Sequence, residues 1–378
     1  MLNRIIIAHD YVEGSASSNR ILCFAKGYRD HGLEVFLVLF SPRNPVDLKL
    51  EGVDVQVVNE PGIRLRLTRR LMAVAKYVRT IKKLYIPGRS AIHIYRTPWW
   101  GFFFNRKKYN FFFERGEIPF FSSRRTVSYL IQECLGLWVT RRATGMLAQT
   151  HSLKDFYSNY GVRNIEVINM FVDESRFCDV AQENHGNYIA YCGTICKHKD
   201  GVDDLIRAFA IVHRQFPDYK LYLIGAFEKL YGDEKFIRNL VTELGLDGHV
   251  VFTGRVAPES IPALLSGASI LALARPINNQ TRYGFPTKLG EYLITGHPVV
   301  LTPVGEIGRY LRDGVNCIFA PPGDYVAFAE KLIWAISNPS EANAIGAAGK
   351  EVVQLSFSIP AQTGTAIDFI RRVSDPNV

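Results

Sequence analysis

The chain lacks any apolar run near the ~20 residues that span a bilayer. Its N-terminus lacks the layout of a signal peptide and reads as a first buried strand. The six cysteines, Cys23, Cys134, Cys178, Cys192, Cys196 and Cys317, are scattered. No pairing of them has metal-ligand spacing, so all six read as reduced packing residues. Low-complexity segments and short repeats are absent, and so is any signature of a nucleic-acid-binding fold. One stretch lacks acid altogether: residues 61–113 hold 13 Lys and Arg and no Asp or Glu. These absences point to a cytoplasmic chain with no metal and no nucleic acid, and to an anionic partner for its basic part.

What is present suits two domains. A length of 378 residues exceeds one ordinary core, and 47% hydrophobic content supplies material for two. Charge divides the same way. Up to residue 180 there are 27 Lys and Arg against 16 Asp and Glu, while the remainder has 18 against 20. Short apolar runs at 4–8, 34–40, 53–58, 91–95, 109–113, 145–148 and 164–168 read as strands. Helical periodicity lies between them, at 20–31, 64–85, 125–142 and 151–160. A second series of strands is expected at 188–192, 220–224, 250–252, 270–274, 299–301 and 317–319, with a clear amphipathic helix at 202–216. Alternation of this kind predicts parallel sheets covered on both faces. The expected units are 1–172, joined by a last helix within 358–378, and 173–357.

The most informative segment is Tyr283-Gly-Phe-Pro-Thr-Lys-Leu-Gly-Glu-Tyr-Leu-Ile-Thr-Gly-His-Pro-Val-Val300. Gly284, Phe285 and Pro286 form a turn, Thr287 is placed to cap a helix, and Gly296 and Pro298 stop it. A helix start after such a turn gathers free N–H groups that suit phosphate. Glu291, one turn on, can accept two hydrogen bonds from a sugar diol. Lys288 and Glu291 together also allow a plain ion pair on the helix surface.

This segment resembles the donor-sugar motif of retaining glycosyltransferases of family 4, the glycosyl transferases group 1. Tyr191-Cys-Gly193 with Lys199-Asp-Gly-Val-Asp-Asp-Leu-Ile206, Val250-Val-Phe-Thr-Gly254 and Pro303-Val-Gly-Glu306 follow in the family's order. The resemblance implies a GT-B fold, in which two Rossmann-like, doubly wound α/β domains face each other across a central cleft. It implies transfer of a sugar from a nucleotide diphosphate sugar to a hydroxyl acceptor, with retention and without a metal cofactor. Lys199 would then neutralise the departing diphosphate, Glu291 would clamp the ribose, and Arg255 and Val256 would hold the base through their backbone. Glu306 would support the sugar site. Two positions depart from the family pattern: Thr194 stands where an arginine is usual, and Tyr283 where a first glutamate is usual. Arg275, at a strand end, is the candidate replacement cation, ahead of Arg282 and Lys288.

In the first domain, Gly14, Ser15, Asn19 and Arg20 occupy the expected loop after the first strand, where the family places its acceptor loop. Glu114 and Glu117 form a turn after another strand. Two readings stand for them: acceptor base or hydroxyl ligand, or neutralisation of the upstream cations. The run Trp99-Trp-Gly-Phe-Phe-Phe-Asn-Arg-Lys-Lys108 and the basic helix at 64–85 suit an anionic membrane surface, with Leu67, Leu71, Val74, Val78 and Ile81 as that helix's buried face. The acceptor reads as a saccharide or lipid-linked saccharide in surface polysaccharide assembly, and the location as cytoplasmic with peripheral contact to the membrane's inner face. The same fold could also serve an inactive nucleotide-sugar-binding module, or an epimerase or hydrolase.

Overall fold

The computed structural model describes residues 2–12, 14–41, 47–59, 66–95, 98–118, 127–178, 180, 187–228 and 232–374. Two units divide the chain: Met1–Phe171 with Ile359–Val378, and Val172–Ser358.

Among the described residues the first unit is built on seven strands, β1 Arg4–Asp10, β2 Glu34–Phe40, β3 Val53–Val58, β4 Ser90–Tyr95, β5 Phe111–Arg115, β6 Gly145–Ala148 and β7 Ile165–Val167. Their order is β3-β2-β1-β4-β5-β6-β7, and every pairing is parallel. Ile5, Ile6 and Ile7 are fully buried, as a central strand covered on both faces requires. One core layer includes Phe24, Tyr28, Leu37, Phe112 and Ile367; the other includes Phe36, Tyr77, Ile92, Phe111 and Phe113. Helix Ile359–Ser374 packs on helix Ala16–Asp30, where a Cβ at Gly27 would collide with Thr363.

The second unit holds β8 Tyr188–Cys192, β9 Lys220–Ile224, β10 Val250–Gly254, β11 Ile270–Leu273, β12 Val299–Leu301 and β13 Ile318–Phe319, in the parallel order β10-β9-β8-β11-β12-β13. The order reverses between β8 and β11. A crevice opens at the carboxyl ends of strands at such a reversal, which is where ligands bind in doubly wound sheets.

Several expectations change. Helix Ala16–Asp30 begins four residues early because Ser15 caps it, its Oγ accepting from the Ser18 N–H at 3.2 Å. Asn19 and Arg20 are therefore helical, not loop residues. Strand β5 runs Phe111–Arg115, which draws Glu114 into the sheet. The basic helix spans Arg66–Leu84, with Val78 and Ile81 buried but Leu71 60% exposed. The start of that expected helix, the start of the helix expected at 125, Pro119, and residues 179 and 181–186 of the stretch expected to join the domains lie outside the described residues.

Candidate functional site

At the reversal in the second sheet, the chain leaving β8 makes a single helical turn, Lys197–Asp200, closed by Gly201 at φ +62°. A side chain on Gly201 would strike the Ala274 carbonyl, so only glycine lets this turn approach the end of β11. Lys199 thus sits on an ordered turn rather than in an open loop, and it is partly exposed. Its carbonyl accepts a hydrogen bond from Arg275 Nε at 3.3 Å. Asn278 Nδ2 donates to the His198 carbonyl at 2.7 Å, tying the turn to a capping box that opens helix Asn279–Tyr283.

Asp200 lies at the centre of this cluster. Its Oδ2 accepts from Lys288 Nζ at 2.5 Å and from Tyr191 Oη at 2.8 Å. Its Oδ1 stands 3.6 Å from Arg275 Nε, an ion pair too long to be a hydrogen bond. Neither Asp200 Oδ1 nor Arg275 Nη1 has a hydrogen-bond partner among the described residues, although both are buried. Burial pushes the Asp200 carboxyl up, but the Lys288 and Arg275 charges outweigh it and hold it below the ordinary range. Burial lowers Lys288 against the pull of Asp200. Burial likewise lowers Arg275. Three cations therefore converge on one carboxylate, because Lys199 also acts on Asp200 electrostatically.

Helix Lys288–Ile294 is fixed to β8 by two tyrosines. Tyr292 Oη accepts from the Cys192 N–H at 2.6 Å, and Tyr191 Oη accepts from Lys288 Nζ at 2.9 Å. A Cβ on Gly193 would fall on the Lys288 ammonium. Thr287 already has helical backbone angles, and its hydroxyl makes no capping bond, so the expected cap does not form. Phe285 and Pro286 are buried, and the Phe285 ring packs at 5.7 Å from Tyr310 and 5.6 Å from Phe357. Of this turn, Gly284 and Thr287 are the more accessible residues. Gly305 presses on the Thr281 and Gly284 carbonyls, at 2.6 and 2.9 Å from where its Cβ would stand, and so sets the turn against Glu306, itself 2% exposed.

Glu291 does not pair with Lys288, whose charge belongs to Asp200. Its Oε1 accepts from Arg176 Nη1 at 2.5 Å, and Arg176 Nη2 donates to the Pro258 carbonyl at 2.9 Å. Thr194 Oγ1 is 3.4 Å from Glu228 Oε1, so the position expected to be a cation faces an acid instead. Arg255 and Val256 follow β10; Arg255 is exposed and Val256 partly so. Tyr283, partly exposed, ends its short helix. Asp200 and Arg176 went unread in the sequence. Nothing in the motif marks Asp200 as the partner of Lys288, and Arg176 lies 115 residues from its partner.

In the first unit, Glu114 is fully buried. Arg20 Nε donates to its Oε1, and His93 Nε2 lies 3.0 Å from Oε2. Arg20 also donates to the Asn169 and Ile168 carbonyls, the latter at 2.7 Å. Burial raises the Glu114 carboxyl, yet the Arg20 and His93 contacts outweigh it and keep it low. With both oxygens taken, Glu114 is an internal anchor and not an acceptor base, and Arg20 is its counterion rather than a loop ligand. Glu117 is exposed, and its carbonyl accepts from Tyr157 Oη at 3.1 Å. Gly14, at φ +69°, and Ser15 stand at the end of the chain leaving β1. Trp100, expected at a membrane surface, is buried with its Nε1 donating to Asp10 Oδ1 at 3.0 Å. Among the described residues no group of His, Cys, Asp and Glu is arranged to hold a metal ion.

The two parallel sheets and their helices are the architecture of GT-B glycosyltransferases. Anabaena HepE in complex with UDP superimposes at a TM-score of 0.74 over 98% of this chain and 100% of that one, with 18% identity. Residues 186–338 match the family model of glycosyl transferases group 1, so the second unit is similar to that family. Among relatives, mannosylfructose-phosphate synthase from Agrobacterium fabrum is 28% identical over 183 residues, 44% of this chain and 39% of that protein. Phosphatidyl-myo-inositol mannosyltransferase from Mycobacterium leprae is 28% identical over 169 residues, 45% of this chain and 42% of that protein. The aligned part thus spans about four-tenths of either relative.

Proposed function

We propose that the protein is a glycosyltransferase that takes a sugar from a nucleotide diphosphate sugar and places it, with retention, on a hydroxyl acceptor. The observation that carries this reading is the excess of positive charge at the β8–β11 reversal: Lys199, Arg275 and Lys288 around the single carboxylate of Asp200. An unbalanced cluster of buried and partly buried cations is costly without an anion, and a diphosphate supplies two or more negative charges. As the bond from the sugar C1 to the phosphate oxygen breaks, charge grows on that oxygen, and fixed cations stabilise it without reorganising. The new bond forms on the face that the diphosphate leaves, so the departing phosphate oxygen is the nearest base for the acceptor proton. Arg275 takes the part that Thr194 cannot. Glu291, steadied by Arg176, offers its remaining lone pairs to the ribose hydroxyls. Because the cations are protein-borne, no metal cofactor is required. The acceptor is a saccharide, lipid-linked where the basic first unit meets an anionic membrane at the cytoplasmic face.

A second reading, an inactive nucleotide-sugar-binding module, draws on Thr194 facing Glu228. One experiment separates the two. A thermal-shift panel of UDP- and GDP-sugars identifies the donor, because a ligand raises the melting point with occupancy. Product analysis with that donor then follows, the anomeric configuration read by NMR. Transfer with the donor's own configuration is expected. Binding without any product supports the inactive module, and an inverted product removes the retaining mechanism.

A further inference from the structure

Among the described side chains of helix Val127–Thr140, the exposed ones are apolar. Val127, Leu130, Ile131, Cys134, Leu135 and Trp138 are exposed, and they recur at the spacing of one helical face. Leu137, Val139 and Thr140 are buried on the other side. The helix's one acid, Glu133, turns aside to Arg115, 3.3 Å from its Nη2. Beside the stripe, Phe102 stacks on Trp138 at 5.7 Å, and both Phe102 and Phe103 are more than two-fifths exposed. Phe102 and Phe103 also form one wall of a cavity of about 440 Å³ whose other walls include Phe40, Val74 and Trp100. The rim of this surface is cationic. Arg141 and Arg142 follow the helix, Arg142 standing 4.6 Å over the Trp138 ring, and Arg106, Lys107 and Lys108 follow Pro98–Phe103, all of them exposed.

We infer that the outer face of helix Val127–Thr140, with Phe102 and Phe103, lies within the interfacial layer of an anionic lipid bilayer. The inference rests on the reading that the first unit meets a membrane, and it moves the contact away from buried Trp100. Apolar side chains enter the acyl boundary, Trp138 sits at headgroup level, and the five rim cations engage lipid phosphates. At 14 residues the helix is too short to span a bilayer, so it lies along the surface. The cationic rim favours lipid over a second copy. Two-fold pairing through a shared patch would set its cations against their own kind, whereas anionic headgroups neutralise them.

The test is sedimentation of the full chain with vesicles of phosphatidylglycerol and phosphatidylcholine at low salt. The wild type is expected in the pellet, and Ile131→Asp/Leu135→Asp is expected to bind at least tenfold more weakly. Both positions are exposed, so circular dichroism and the melting midpoint should stay as in the wild type. If that variant misfolds, an environment-sensitive dye on Cys134, with Cys178→Ser, decides on an otherwise unchanged face; a blue shift on adding vesicles is expected. A wild type that pellets while neither the variant nor the dye responds overturns the inference and leaves the membrane reading standing. A wild type that stays in the supernatant overturns both. A dimer that the Asp variant makes monomeric, with no vesicle binding, overturns the inference in favour of contact between copies.

Discussion

Glu114 and Asp200 are both buried carboxylates, one in each unit, and their surroundings neutralise them differently. Glu114 has one cation, Arg20, and one histidine, and both of its oxygens are bonded. Its guanidinium partner is closed off by two backbone carbonyls. The charges balance and nothing is left over. Asp200 has Lys288 and Arg275 in ion-pair contact and Lys199 near by, and among the described residues its Oδ1 and the Arg275 Nη1 have no hydrogen-bond partner. A balanced, fully bonded pair is scaffold. An unbalanced one with an unmet donor and an unmet acceptor has the character of a site awaiting charge.

The largest effect should come from breaking the balanced pair. Glu114→Ala strands Arg20 in the interior, and removing one partner of a buried pair costs about 3–5 kcal/mol of stability. Chemical denaturation should show that loss, while calorimetry on the folded protein should show nucleotide affinity unchanged. The reverse pattern, intact stability with lost affinity, would exchange the roles assigned to the two acids. A pH effect goes with it. The folded carboxyl titrates below its unfolded value of 4.5. Its stabilisation is therefore fully present above that value and is lost as pH falls through the lower, folded one. Glu114→Gln should flatten this acid limb of the stability curve.

The next effect tests the unbalanced cluster. Lys199→Ala should slow turnover at saturating donor by about a hundredfold, the scale for losing one group that stabilises developing charge. Its melting midpoint should hold, since the side chain is partly exposed and its structural tie runs through its carbonyl. Unchanged turnover would leave the diphosphate to Arg275 and Lys288.

Smaller still is Glu291→Gln. The substitution keeps an acceptor but removes charge-assisted bonding, at a cost of about 1.5–3 kcal/mol in nucleotide affinity by calorimetry. Affinity equal to the wild type would mean that the carboxylate serves Arg176 alone.

Local patterning made much of this architecture readable. The strands show as short apolar runs, and Gly296 and Pro298 mark the turn into β12, because these signals act within a few residues. Lys199 and Glu291 stood out through their motif. The partners did not, because they come from distant segments: Asp200 with Lys288 across 88 residues, Glu114 with Arg20 across 94, and Glu291 with Arg176 across 115. Nothing in a linear pattern says which acid meets which base. Direction was also illegible where both sides of an element are apolar. Trp100 and Phe102 are neighbours in one aromatic run, yet the first faces the core and the second is exposed. The sequence of helix Val127–Thr140 likewise does not show which of its apolar residues are exposed.

The smallest expected effect is that of a chelator, and it bears on the same contrast. If Lys199, Arg275 and Lys288 are unbalanced because they await a diphosphate, they already supply the charge that a divalent cation would otherwise bring. A magnesium ion added beside them would be repelled by the excess positive charge that marks the site. EDTA should then leave the initial rate within about twofold, a change of roughly 0.4 kcal/mol in barrier. Arg275→Met should shift this behaviour, since with one cation fewer the diphosphate has more to gain from a metal, and added magnesium should restore part of the lost rate. A wild type that needs manganese or magnesium would show that the cluster is too weakly charged for the leaving group, and the contrast with Glu114 would lose its functional meaning.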